Sequence, residues 1–460
     1  MHHSYRTTHH SRRLALGAGL LAAVALVTVG AAPARAEQSF GPTVQLDLGA
    51  GGVSADQQST SLGISGNGRI ALFSSSATNL VPDAAQVGFG LYVRDLRSGR
   101  TELVSRADDG TPLTALDESA GISADGRFVV FSSGAAGVAP GQPANGAYNV
   151  YVRDRVEGRT RLVTVGSPDP TGQNDIGAYH PALSADGRTV VYESARTDLV
   201  PGAPVQPNAR NVYATDRVTG RTRLVSVGVD GQAADGDSDN PTISADGSTV
   251  GFSSRATNLL PPTPGSSAAP ALGAQRYTTL YTRDLHSGST ALAGLAADGT
   301  AGSAAPVVRL SPDGRYAVYA LGTYPLPGGK ARTELFVHDL RTGEVRSIRT
   351  STDPAALCWA DTTAAISADD RWVYFSGGCS TTIVHAWQAR FDLYRQDLRT
   401  GATEALSPAA DGSLQSGAAA VPYVSANGRT VVFADNSTNL LPGGTTDNNW
   451  HVYARTRSDD

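Results

Sequence analysis

The sequence predicts an all-β fold, a single seven-bladed β-propeller of four-stranded blades, and three observations carry that reading. A ten-residue motif recurs seven times, a second motif follows each copy, and an unpaired strand ahead of the first copy matches what the last copy lacks. The first motif is ISADGRFVVF from Ile122, repeated as ISGNGRIALF from Ile64, LSADGRTVVY from Leu183, ISADGSTVGF from Ile243, LSPDGRYAVY from Leu310, ISADDRWVYF from Ile366 and VSANGRTVVF from Val424. Repeat architectures announce themselves by such self-similarity, and the starts lie 56 to 67 residues apart. That exceeds the roughly 40–50 residues of WD and kelch blades, so the surplus belongs to long loops.

Within a copy the elements follow in order. A short first strand ends at the motif serine, and Asp-Gly makes a turn into a second strand such as 128–132. After a long loop the second motif, VYVRDRVEGRTRLVT from Val150 in the second copy, gives two strands around the turn Val156-Glu157-Gly158. Runs such as Val129-Val130 and Val190-Val191 are apolar on both faces, as sheets packed on each side require. The seventh copy stops at VYARTR from Val452 and has no fourth strand, whereas residues 43–48 read as a fourth strand with no blade. Pairing that N-terminal strand into the last blade closes the ring and leaves no open sheet edge there.

The strings SADGRxVVF and VYVRDxxxGRTxLVS resemble the TolB-type, WD40-like propeller repeats of exported bacterial proteins. The resemblance spans residues 43–457. It implies the propeller fold but leaves the role open, because such propellers serve as partner-binding platforms, as domains beside peptidases and as polysaccharide lyases. The extra N-terminal α/β domain of TolB and the hydrolase domain of prolyl-oligopeptidase relatives have no counterpart here, so their activities are not carried across.

Ahead of the repeats, Arg12 and Arg13 precede an apolar stretch over 14–32, and Ala34-Arg35-Ala36 has the small-x-small pattern of a signal-peptidase site. Residues 1–36 are therefore expected to be a signal peptide, twin-arginine or Sec, and 37–460 an exported, secreted propeller, expected to be a monomer. No later stretch approaches the roughly 18 apolar residues of a membrane span. With 37 basic and 42 acidic side chains the net charge is −5, which argues against nucleic acid as the partner. The only two cysteines, Cys358 and Cys379, are expected to form a disulfide in an oxidising compartment, the alternative being two buried thiols.

The repeated aspartates, such as Asp125 before the turn glycine and Asp154 at the end of the third strand, read as turn formers that accept backbone N–H bonds. Both kinds of short turn lie on one face of the ring, so the variable loops that carry function share the other. Inner strands should bring the residue four before the motif serine to the channel mouth: Ser61, Ser119, His180, Asn240, Val307, Thr363 and Val421. Near these stand Asp117, Glu118, Asp237, Asp239 and Asp361, with Arg309 and Tyr423 two before their serine. The set reads either as a binding funnel with an acidic arc and an apolar arc, or as an ordinary solvated rim. Trp359 and Trp387 fall in the long loops of the sixth copy, where aromatics either stack on sugar rings or hold loops down. Asp447 and Asn449 in the last copy keep an Asp- and Asn-rich flavour suited to Ca²⁺, although calcium wants about six to eight oxygens; no other cofactor is expected.

No Gly-x-Ser-x-Gly elbow, His-Glu-x-x-His helix or P-loop occurs. The expected function is a non-catalytic binding or scaffold protein that recognises an extracellular or envelope protein, or a glycan. The competing class is a carbohydrate-active lyase or hydrolase using Asp117, Glu118, His180, Asp239 and Arg309.

Overall fold

In the computed structural model the described residues are 40–457, apart from 143–145, 166–176, 204, 207–208, 262–277, 300–303, 327–329, 351–356, 381–390, 414 and 446. The expected signal peptide lies outside them. Seven four-stranded antiparallel sheets follow one another along the chain. Blade one consists of Ser59–Ile64, Ile70–Ser75, Gly90–Asp95 and Thr101–Leu103, from the channel outward. The inner strands of the next six blades are Leu116–Ile122, Ala178–Leu183, Ser238–Ile243, Ala304–Leu310, Leu357–Ile366 and Ala419–Val424.

Each blade carries one ring pair where its second and third strands face each other. Phe73 with Tyr92, Phe131 with Tyr151 and Tyr192 with Tyr213 have centroids 5.7 to 5.9 Å apart. Blades four to seven repeat the pair at 5.7 to 6.1 Å. The last aromatic of the first motif and the tyrosine or phenylalanine that opens the second are thus cross-strand neighbours, the unit of stabilisation in a sheet.

The turn aspartates do what their position predicts. Asp125 Oδ1 accepts from Ser123 Oγ at 2.6 Å and from the Arg127 N–H at 2.9 Å, while Ser123 Oγ accepts the Phe128 N–H at 2.9 Å. Asp154 Oδ1 accepts the N–H groups of Val156 and Glu157, and its Oδ2 binds the Arg127 guanidinium at 2.5 Å. Adjacent turns are stitched to each other: Ala124 donates to Ala185, Ala185 to Ala245 and Ala245 to Pro312, each at 2.8 Å. Pro312 has no N–H to pass onward to blade six.

The ring closes through the N-terminal segment, over a shorter ladder than residues 43–48. Val44–Gln45 is the outer strand of blade seven, with Val44 opposite Ala454 and Gln45 opposite Tyr453. The pairing extends on both sides through Gly41 N–H to Thr456 O and Leu46 N–H to Val452 O. Beyond it the chain turns away, because Asp47 goes inward to a buried histidine and Leu48 bridges to Ser54.

One turn departs from the repeat. Asp370 stands where the other blades have glycine and keeps the left-handed φ, 56° against 75° at Gly126. Burial and the nearby Asp313 push its carboxyl up to about 6, against the opposing pull of Arg315. The ionised form is therefore disfavoured in the fold, a cost absent below the ordinary carboxylate range and fully present above about pH 6. Asp370→Gly is expected to stabilise by about 1 kcal/mol from the backbone alone, with a larger gain at pH 8 than at pH 4. Urea titrations at the two pH values check this, and an equal or negative change at pH 8 would contradict it.

Candidate functional site

The long connections, from second to third strands and from each fourth strand to the next inner strand, lie on the face opposite the Asp-Gly turns. Inner strands run from that loop face down to the turn face, so their middles wall the channel. In blades three, four and seven the strand is broken there by a left-handed, non-glycine residue followed by proline: His180 at φ 48°, Asn240 at 50° and Val421 at 50°. These are three of the positions four before the motif serine, and the pairing register shifts at each of them. A bulge of this kind orphans backbone polar groups, which then need partners. Asp117 Oδ2 of blade two lies 3.4 Å from the His180 N–H, Glu193 Oε2 of blade three accepts the Asn240 N–H at 2.6 Å, and Ser61 Oγ of blade one donates to Val421 O at 2.7 Å. Each break is thus held by an adjacent blade, the preceding one at His180 and Asn240 and the following one, blade one, at Val421.

Glu193 organises the acidic side of the mouth. Its side chain is 1% exposed, and its second strand ends where equivalent copies have Ser132 and Ser253. Besides Asn240 it faces His180 Nδ1 at 3.2 Å and Arg210 at 3.6 Å, and Arg210 reaches Asp239 at 3.4 Å and Asp237 at 3.8 Å. The Glu193 carboxylate raises the His180 pKa above the ordinary imidazole value, with Asp117 and Asp239 adding to it and burial opposing. Asp239 also accepts from Ser253 Oγ and from Asn240 Nδ2.

Below the breaks lies a cavity of about 360 Å³. Glu118, His180, Asn240, Arg309 and Tyr423 line it; Asp117, Asp237 and Asp239 stand behind the wall. The structure therefore joins Asp117, His180, Asp237, Asp239 and Asn240 in one network with Glu193 and Arg210, and sets Arg309 and Tyr423 together on another wall, 3.3 Å apart through guanidinium and phenol oxygen. The separation of more than about 10 Å between acid and histidine that would rule out proton transfer is not found, since Glu193 is in contact with His180.

Blade six departs from the sequence reading. Trp359 lies in a strand, not a loop, because the inner strand extends to ten residues, Leu357–Ile366, against Trp372–Ser380. Trp359 pairs with Gly378, and Cys358 stands directly opposite Cys379 in the ladder. The side chains of Cys358, Trp359, Asp361 and Cys379 lie outside what the structure describes, as does Trp387 altogether. In blade seven, Asp447 Oδ1 faces His451 Nε2 at 3.0 Å and accepts the Asn449 N–H at 3.1 Å. The His451 imidazole sits against that carboxylate; among the described residues no group of three or more His, Cys, Asp or Glu side chains is placed to hold a metal.

No family model matches the chain, and no curated protein matches it in sequence. Solved structures match in fold. The propeller domain of the Trilobed protease from Pyrococcus furiosus, described as having an open velcro topology, is 11% identical over 88% of this chain and 97% of its own, with a TM-score of 0.50. TolB from Acinetobacter baumannii is 14% identical over 81% of this chain and 77% of its own, at TM-score 0.39. A putative TolB from Agrobacterium tumefaciens is 18% identical over 63% and 80%, at 0.39. The chain is a seven-bladed β-propeller, and it shares the propeller fold with the Pyrococcus furiosus domain.

Proposed function

We propose that the protein is an exported, non-catalytic binding module that recognises an extracellular or envelope protein, or a glycan, through its loop face and channel mouth. The observation that carries this is the mouth itself: a cavity whose wall is fixed by three left-handed, proline-backed breaks, each with its backbone held by the neighbouring blade. Strain of this sort persists only where surrounding contacts over-determine it, and a rigid concave site binds at lower entropic cost. Glu193 accepts a backbone N–H and its carboxylate favours the protonated form of His180, which argues against this pair as a general base.

The enzyme reading rests on one observation, the Glu193 and His180 contact at 3.2 Å beside Asp117 and Asp239. A screen of the purified protein against cell-wall and plant polysaccharides, with product release followed in the same wells, separates the two. Binding without new reducing or unsaturated ends is the expected result. Turnover abolished by His180→Ala or Arg309→Ala would make the protein an enzyme. Mass spectrometry of protein recovered from the medium is expected to find Glu37 as the first residue and Cys358 joined to Cys379; an intact residue 1 or two free thiols would refute export processing or the bridge, respectively.

A further inference from the structure

The residue two before the motif serine decides the shape of the channel. Blades one to four and blade six carry Gly63, Gly121, Ala182, Thr242 and Ala365 there, whereas blades five and seven carry Arg309 and Tyr423. The two large side chains meet across the small Ala365. An Arg309 N–H donates to Tyr423 Oη at 3.3 Å, and the guanidinium lies 5.6 Å from the ring centroid. Among the described residues the cavity is accordingly lined by every blade except six. Its apolar floor comes from the residue just before the motif serine, including Ile64, Ile122, Leu183 and Ile243.

Arg309 is half-buried on the cavity wall, and among the described residues it meets no carboxylate. Elsewhere on the turn face and mouth, Arg69 pairs with Asp95 and Arg210 with Glu193. A guanidinium has five N–H donors in a planar fork that matches a carboxylate in two-pronged fashion. One is used on Tyr423, and the phenol adds its own hydroxyl beside the fork. Across the cavity the acidic rim of Glu118, with Asp117 and Glu193 behind it, disfavours any ligand carrying several negative charges.

Resting on the binding role of the mouth, we infer that the cavity receives the C-terminal end of a polypeptide. The free carboxylate sits on Arg309 and Tyr423, and an apolar last side chain lies over the aliphatic floor. A volume of about 360 Å³ suits one or two residues, not a folded segment. The acidic rim then faces the peptide chain as it leaves the mouth.

Calorimetric titration with Leu-Leu, N-acetyl-Leu-Leu, Leu-Leu amide and 4-methylpentanoate tests this. The first two are expected to bind alike, and the amide to bind at least about tenfold more weakly, the loss of a charge-assisted hydrogen bond. Arg309→Met should reduce Leu-Leu binding to the amide's level, and Arg309→Lys should restore part of it. The inference is overturned by equal binding of acid and amide, by 4-methylpentanoate binding as tightly as Leu-Leu, or by no binding of any probe. Should a protein or glycan from the broader screen bind with full sensitivity to Glu193→Gln and none to Arg309→Met, the binding role stands and this ligand assignment falls.

Discussion

Deleting residues 40–48 is expected to lower the melting temperature by at least about 5 °C, because this segment is both the outer strand of blade seven and a source of buried partners. Phe40 is 6% exposed and lies against the Arg395 guanidinium at 5.1 Å, while Arg455 donates to the carbonyls of Phe40 and Gly41. Deeper in, His451 and Asp47 are 1% and 0% exposed and meet at 2.8 Å, with Gln45 donating to Asp47 at 3.0 Å. Removing one partner of such a pair leaves a buried charge uncompensated and costs about 3–5 kcal/mol. Differential scanning calorimetry reads the effect, and an unchanged midpoint would show that the ring does not depend on this closure.

The pH dependence of the same region has a definite sign. Burial works against a charged His451, yet Asp47 and Asp447 outweigh it and raise its pKa. A histidine with a raised folded pKa contributes stability in full below the ordinary imidazole value and loses it as pH rises through the folded value. Asp435, opposite His451 in the ladder, is pushed up to about 7 chiefly by burial, so its ionisation also costs stability as pH climbs from the ordinary carboxylate range to neutrality. Blade seven should therefore weaken from acid toward alkaline pH. The wild-type advantage over Asp47→Asn should shrink along the same axis; an advantage that grew with pH would contradict the assignment.

The second large effect is expected from Glu193→Ala, a loss of about 3 kcal/mol. The substitution orphans the Asn240 N–H and removes the anion facing His180 and Arg210, all at a side chain that is 1% exposed. Glu193→Gln keeps an acceptor for Asn240 while removing the charge, so it should retain most of the stability and let the His180 pKa fall. Chemical denaturation measures the first effect and NMR titration of His180 the second. Equal stability of the alanine variant and wild type would mean that the bulges do not need this carboxylate.

The site was legible in part. The offset of four residues before the motif serine located His180 and Asn240 at the cavity wall and Val421 at the third break, because a repeat fixes equivalent positions in every blade. Glu193 was missed although the sequence carries a signal for it, a lone glutamate where other copies have serine or alanine at the end of the second strand. Arg210 has no such signal, since it comes from a variable loop that only the folded ring brings within 3.6 Å of Glu193. The sixth copy misled because its inner strand outgrows the repeat length, and Trp359 moved from a loop into a ladder.

The sequence by itself determined the number of blades, their four-strand order, the roles of the turn aspartates and the closure by an N-terminal strand. Those features depend on local chemistry, alternation and turn residues, copied along the chain at a steady spacing. Only the tertiary structure decided which side chains share the mouth, that Arg309 and Tyr423 meet there, and which carboxylates are spent on backbone N–H groups. These are contacts between blades some 50 to 120 residues apart, set by how neighbouring inner strands bulge toward one channel, and no periodicity along the chain encodes that.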